Sequence, residues 1–194
     1  MIDPGLNRGG AWLAARGASA NAVTLVGLAF GLGAAAGVAG GAGAVLTLAL
    51  LCVNRVFDGL DGAVARARGR TDFGGLLDIV CDFAVYGAMP LAFVFRDAEA
   101  NALAGAFLLV TFYINGATFL GYAILAEKRG FVTTTQGVKS LHYSAGLLEG
   151  TETIAFFAVL CLFPAIFSTA AWIFGGLCLV TALGRVLLAL RVFR

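Results

Sequence analysis

The chain has 194 residues, 60% hydrophobic and 12% charged, with a mean hydropathy of +0.94 and a formal net charge of +2. A soluble domain carries about a quarter charged residues, so this composition excludes an ordinary soluble fold and places the chain among integral membrane proteins. The small net charge gives no ground for a nucleic-acid partner, and Cys52, Cys81, Cys161 and Cys178 lie in apolar runs without CxxC spacing, as core hydrophobes rather than a disulfide framework.

Residues 1–20 are short, polar and glycine-rich, with Trp12 and Leu13 between Arg8 and Arg16. They read either as an interfacial helix with Trp12 at headgroup depth or as a leader, because Gly5, Gly9 and Gly10 lower helix propensity. The early acid Asp3 and the lack of a short apolar core argue against a secretory signal. From Gly17 to Asn54 no residue is charged, which is room for two spans turning at Gly40, Gly41 and Gly43. Span 1 is expected at 22–40 and span 2 at 44–68. GxxxG spacing at Gly27/Gly31, Gly33/Gly37 and Gly37/Gly41 reads as close helix packing. Span 3 is expected at 73–95 and span 4 at 101–126, followed by a polar loop. Span 5 is expected at 143–163 and span 6 at 167–190, divided at Pro164. The fold class is thus all-α integral membrane, one domain over 1–194, with six transmembrane helices. With an even number of spans both termini share a side, and of the Lys and Arg residues only Arg96 falls on the other. The positive-inside bias makes both termini cytoplasmic.

Between spans 2 and 3 the stretch Asp58–Asp82 concentrates carboxylates in a chain that is otherwise mostly hydrocarbon. Intramembrane acids are costly, so a cluster of them points to a functional site. Asp58, Asp61, Gly62, Ala65 and Arg66 form one helical stripe of span 2, and Gly74, Asp78 and Asp82 form one of span 3. The chain reverses near Gly69–Thr71, so the two helices are expected to be antiparallel neighbours with facing stripes at their cytoplasmic ends. Four converging carboxylates repel unless a cation sits among them. Oxygen-only ligands, with no His or Cys expected nearby, favour hard ions: Mg²⁺, Mn²⁺ or Ca²⁺. Two such ions suit phosphoryl displacement, and Arg66 adds a planar donor for phosphate. Arg55, one turn before Asp58, reads as charge balance for the acids. Arg68 and Arg70 read as positive-inside anchors.

The pattern Asp58-x-x-Asp61-Gly62-x-x-Ala65-Arg66, seven residues, Gly74-x-x-x-Asp78-x-x-x-Asp82 resembles the signature of the CDP-alcohol phosphatidyltransferase family. Asn21-Ala-Val-Thr24 is similar to that family's Pro-Asn-x-x-Thr at the start of span 1, with Ala20 in place of proline. The resemblance implies a bacterial inner-membrane enzyme of phospholipid synthesis, commonly a homodimer. It would transfer a phosphoalcohol group from a CDP-linked lipid to an alcohol and release CMP. Asp58, Asp61, Asp78 and Asp82 would bind two divalent cations, Mg²⁺ or Mn²⁺, with Asp82 also the general base. Asn21, Thr24, Gly62, Ala65, Arg66, Gly74 and one of Thr71 or Asp72 would hold the CDP moiety. The donor favoured by the Asn21–Thr24 stretch is CDP-diacylglycerol. Lys139, His142, Glu149 and Glu152, around the start of span 5, are candidates for the acceptor pocket. With only Lys139 there and Arg185 in span 6 as cations, the acceptor is expected to carry little charge.

Two other classes compete with the enzyme reading. A divalent-cation channel or transporter would spread its acids along a path, whereas these cluster at one end of two spans. A non-catalytic lipid-binding scaffold would keep its function without Asp82.

Overall fold

The computed structural model describes residues 4–130 and 150–193. Their regular structure is all helical: α1 (Pro4–Ala15), α2 (Ala20–Ala39), α3 (Ala44–Arg68), α4 (Asp72–Arg96), α5 (Ala98–Lys128), α6 (Gly150–Leu162) and α7 (Phe167–Val192), the last preceded by a 3₁₀ turn at Pro164–Ile166. Of the two readings of residues 1–20, the helix is the one observed, over Pro4–Ala15. α2, α4, α5 and the stretch Pro164–Val192 are each long and apolar enough to cross a membrane. α3 has the length, at 25 residues, but its C-terminal half carries Arg55, Asp58, Asp61, Arg66 and Arg68. α6 is described over 13 residues. Four of the six expected spans therefore stand on length and composition. α3 falls short because chemistry-bearing residues take the place of apolar ones. Large apolar side chains face outward on these helices, Val45 and Leu103 each at 81% exposure. Such a surface suits lipid rather than water.

The turns follow from local chemistry. Ser19 caps α2, its Oγ accepting from the Ala22 N–H at 3.2 Å. Gly40 ends α2, and Gly41 takes a φ of +71° that favours glycine. Gly69, with φ at +103°, ends α3, and Thr71 opens α4 by accepting from the Gly74 N–H at 3.0 Å.

The described residues form two compact units. The first comprises α1 to α4 with Cys161–Pro164. Here α2 is the common partner, packing closely along both α3 and α4. Small residues allow this approach. A Cβ on Gly27 would lie 3.0 Å from the Phe57 Cβ, and one on Gly31 would lie 2.5 Å from Val85 Cγ2 and 3.0 Å from Asn54 Nδ2. Buried Asn54 uses this closeness to donate from Nδ2 to the Gly27 carbonyl at 2.9 Å. The expectation that α3 and α4 are neighbours is met through their side chains, Arg55 of α3 reaching Asp82 of α4 at 2.9 Å, although the backbone of each packs most closely on α2. The α1 glycines also have a use. Gly10 sits directly on Ala63 and Gly9 on Leu60, so the residues that weaken α1 as a helix are its contact surface with α3.

The second unit holds α5, α6 up to Leu160, and α7. Its contacts are aromatic: Phe107 stacks on Trp172 at 4.4 Å and Phe156 on Phe174 at 4.1 Å between ring centroids. Arg185 is buried within it, donating from one guanidinium nitrogen to the Asn115 Oδ1 and Thr118 Oγ1, each at 2.9 Å, and to the Asn115 carbonyl at 3.1 Å.

Candidate active site

The four aspartates of the two stripes lie on α3 and α4 within the first unit. Asp58, Asp78 and Asp82 offer carboxylate oxygens that all lie within 4.8 Å of one another, a spacing that could hold a metal ion. Asp61 stands outside that triad. It is 6% exposed, and its Oδ2 accepts from Thr24 Oγ1 on α2 at 2.6 Å. A buried carboxylate needs such a donor. Thr24 was placed on the CDP side by resemblance alone; here it is also the partner of an acid.

Two cavities meet at these residues. The larger, about 290 Å³, includes Asn21, Thr24, Asp61, Gly62, Ala65, Arg66, Thr71, Gly74 and Asp78 in its wall. The smaller, about 10 Å³, is bounded by Arg55 and all four aspartates among others. Thr24, Asp61 and Asp78 belong to both walls. The glycines keep the larger cavity open. A Cβ on Gly62 would come within 3.3 Å of an Arg66 nitrogen, and one on Gly74 within 3.0 Å of Thr71 Oγ1 and 3.2 Å of Asn21 Oδ1.

Of the pair Thr71 and Asp72, Thr71 lines the cavity while Asp72 lies exposed in the first turn of α4. Arg66 reaches α1, where Asn7 Oδ1 accepts its N–H at 2.9 Å. Arg68 donates to the Ala18 carbonyl at 3.1 Å. Arg70, read as an anchor, lines the larger cavity. It follows the helix-ending Gly69, so helical periodicity could not place it; only its sequence proximity to Arg66 hinted at the site. Cys81, read as a core hydrophobe, is buried as expected, and it also lines the smaller cavity beside the acids. Glu152 is exposed in the first turn of α6, while Lys139, His142 and Glu149 lie outside the described residues.

Arg55 carries the charge balance expected of it. One terminal nitrogen donates to Asp82 Oδ1 at 2.9 Å and the other lies 3.5 Å from Asp58 Oδ2, while Nε donates to Asn54 Oδ1 at 2.8 Å. The other Asp82 oxygen, Oδ2, accepts from the Tyr86 hydroxyl at 3.4 Å.

Helices of membrane-crossing length, with a carboxylate cluster next to an arginine-edged cavity, define the class of helical membrane proteins with an ionic site. The chain belongs to the CDP-alcohol phosphatidyltransferase family, whose model matches residues 18–184. Members transfer phosphatidyl groups in phospholipid synthesis, acting in membranes on a CDP-alcohol donor and an alcohol acceptor, and are generally dependent on divalent cations. The chain is 45% identical over 170 residues to the inner membrane protein YnjF of Escherichia coli, covering 88% of this chain and 82% of that protein. It is 33% identical over 88 residues to a CDP-diacylglycerol–serine O-phosphatidyltransferase of Methanocaldococcus jannaschii, covering 44% of this chain and 42% of that protein. No solved structure matches.

Proposed function

We propose that this protein transfers the phosphatidyl group of CDP-diacylglycerol to the hydroxyl of an alcohol of little charge, releasing CMP. The observation that carries this reading is the Asp58, Asp78 and Asp82 triad, with oxygens within 4.8 Å of one another, which meets through Asp78 a cavity edged by Arg66 and Arg70. The oxygen-only ligand set fits hard divalent ions, Mg²⁺ or Mn²⁺. Two ions, held by Asp58, Asp61, Asp78 and Asp82, would neutralise the pyrophosphate of the donor and stabilise the leaving CMP. Thr24 orients Asp61 for this task. Asn21, Thr71, Gly62, Ala65 and Gly74 form the cradle for the CDP moiety, and Arg66 and Arg70 face its phosphates. Asp82 takes the proton from the acceptor hydroxyl. The acceptor oxygen then bonds to the lipid-bearing phosphorus as the bond from that phosphorus to the CMP oxygen breaks. Arg185, bound by Asn115 and Thr118 inside its own unit, supports an acceptor that brings little charge.

In the same reading the chain is a single domain in a bacterial inner membrane. It has six spans, both termini are cytoplasmic, and it works as a homodimer. The relative named as a serine transferase supports the choice of donor. The test is CMP release and lipid mass spectrometry on purified protein given CDP-diacylglycerol, Mg²⁺ or Mn²⁺, and pooled alcohols. A new phospholipid should form, and both chelation and Asp82→Asn should abolish it. Metal flux through liposomes with no CMP release from any alcohol would replace this reading with a cation transporter.

A further inference from the structure

Arg55 is held on every side. Its Nε is fixed by Asn54, and Asn54 is in turn tied to the Gly27 carbonyl of α2. Its two terminal nitrogens face Asp58 and Asp82, one from each of the helices that supply the acids. The side chain is 22% exposed, so water screens this charge only in part. A guanidinium anchored this way is part of the cluster rather than a passing surface ion pair.

We propose that Arg55 is a positioning residue that acts as a resident counter-charge. It fixes Asp82 for the acceptor, together with Tyr86 on the other oxygen, and it holds down the affinity of the carboxylates for divalent ions. The inference deepens the metal-dependent reading above and rests on it. Asp82 Oδ1 is committed to Arg55 at 2.9 Å and Oδ2 faces Tyr86 at 3.4 Å, so the carboxylate cannot rotate without breaking a contact. The four acids carry a formal charge that Arg55 cuts by one. A fixed positive charge and a divalent ion sharing the same carboxylates repel by about tenfold in binding even at the dielectric of water. Such an ion is then held firmly only when a further anion, the pyrophosphate of the donor, joins it. The device favours loading with substrate over permanent occupation.

The experiment measures Mn²⁺ binding by electron paramagnetic resonance on the full-length protein in detergent micelles, without and with CDP. Arg55→Gln should bind Mn²⁺ about tenfold more tightly than the parent, gain less from CDP, and turn over more slowly because Asp82 is no longer held. Arg55→Lys keeps the charge and loses the fork, so its Mn²⁺ affinity should stay within about threefold of the parent while turnover still falls. Loss of a merely structural contact would not tighten metal binding. Equal or weaker Mn²⁺ binding by folded Arg55→Gln overturns the counter-charge but leaves the metal-dependent reading standing. Should that variant not fold, a tenfold change in Mn²⁺ affinity for Arg55→Lys overturns the counter-charge in the same way. A parent protein that binds no Mn²⁺, with or without CDP, overturns both.

Discussion

Gly31→Ala is the most direct test of how α2 organises the site. The added methyl would lie 2.5 Å from Cγ2 of Val85, which is fully buried on α4, and 3.0 Å from Nδ2 of Asn54 on α3. Neither neighbour is a flexible end with room to swing away. Overpacking of this kind costs about 1–3 kcal/mol, and pushing Asn54 off the Gly27 carbonyl adds about 1 kcal/mol. Replacing glycine by alanine inside a helix returns up to about 1 kcal/mol. Gly33→Ala is the matched control on the same helix, because its methyl meets only Leu50 Cδ1 at 3.9 Å, an ordinary contact. It keeps the helix gain without the collision. The two variants should therefore differ by about 2–4 kcal/mol, or roughly 5–15 °C in unfolding midpoint for a chain of this size. Parallel thermal unfolding in one detergent reads the difference. Equal midpoints would refute the argument that α2 works by close contact through its glycines.

Thr24→Val removes the hydroxyl that donates to buried Asp61 at 2.6 Å. It should cost about 1–3 kcal/mol of stability, the usual penalty for a buried acceptor left without its donor. CMP release should fall by at least about tenfold, whereas Thr24→Ser should retain most of it. Gly74→Ala brings a methyl to 3.0 Å from the Thr71 cap oxygen and 3.2 Å from Asn21 Oδ1. It should raise the KM for the CDP-lipid by about tenfold, with a smaller loss of roughly 1 kcal/mol in stability from the disturbed cap. A KM within about twofold of the parent would remove Asn21 and Thr71 from the CDP cradle.

Much of the chain was legible before its structure because lipid makes strong demands. Uncharged runs of about 20 residues and the glycines between them placed α2, α3, α4, α5 and α7 within a few residues of their observed ends. Helical spacing put Asp58 on one stripe and Asp78 and Asp82 on another, because i, i+4 periodicity is a property of one helix at a time, and the oxygens of the two stripes lie within 4.8 Å of one another. What spacing could not supply was the relation between helices. It made α3 and α4 neighbours from the shortness of their connection, but gave no sign that α2 packs closely along both. It put Asp61 on a par with the other acids, but could not show that Thr24, 37 residues away in sequence, donates to it. Arg70 escaped because it stands after Gly69, where the helix ends and periodicity stops. α1 was ambiguous for a related reason: propensity counts the cost of Gly9 and Gly10 but not the surface of α3 on which they rest.

The bareness of α2 has a further consequence. Thr24 and Gly27 to Gly31 form the stretch of α2 against which α3 and α4 lean, and the acids of those helices lie beyond it. How closely α3 and α4 can both seat on α2, and with them the carboxylates they carry, is set in part by the missing side chains of Gly27 and Gly31. Each methyl added there acts as a shim, moving two charged walls without altering any charge. The bore of the site is machined at a distance, by residues with no ligating atom of their own, and a lineage needing a wider or narrower one has its adjusting screw at Gly27 and Gly31.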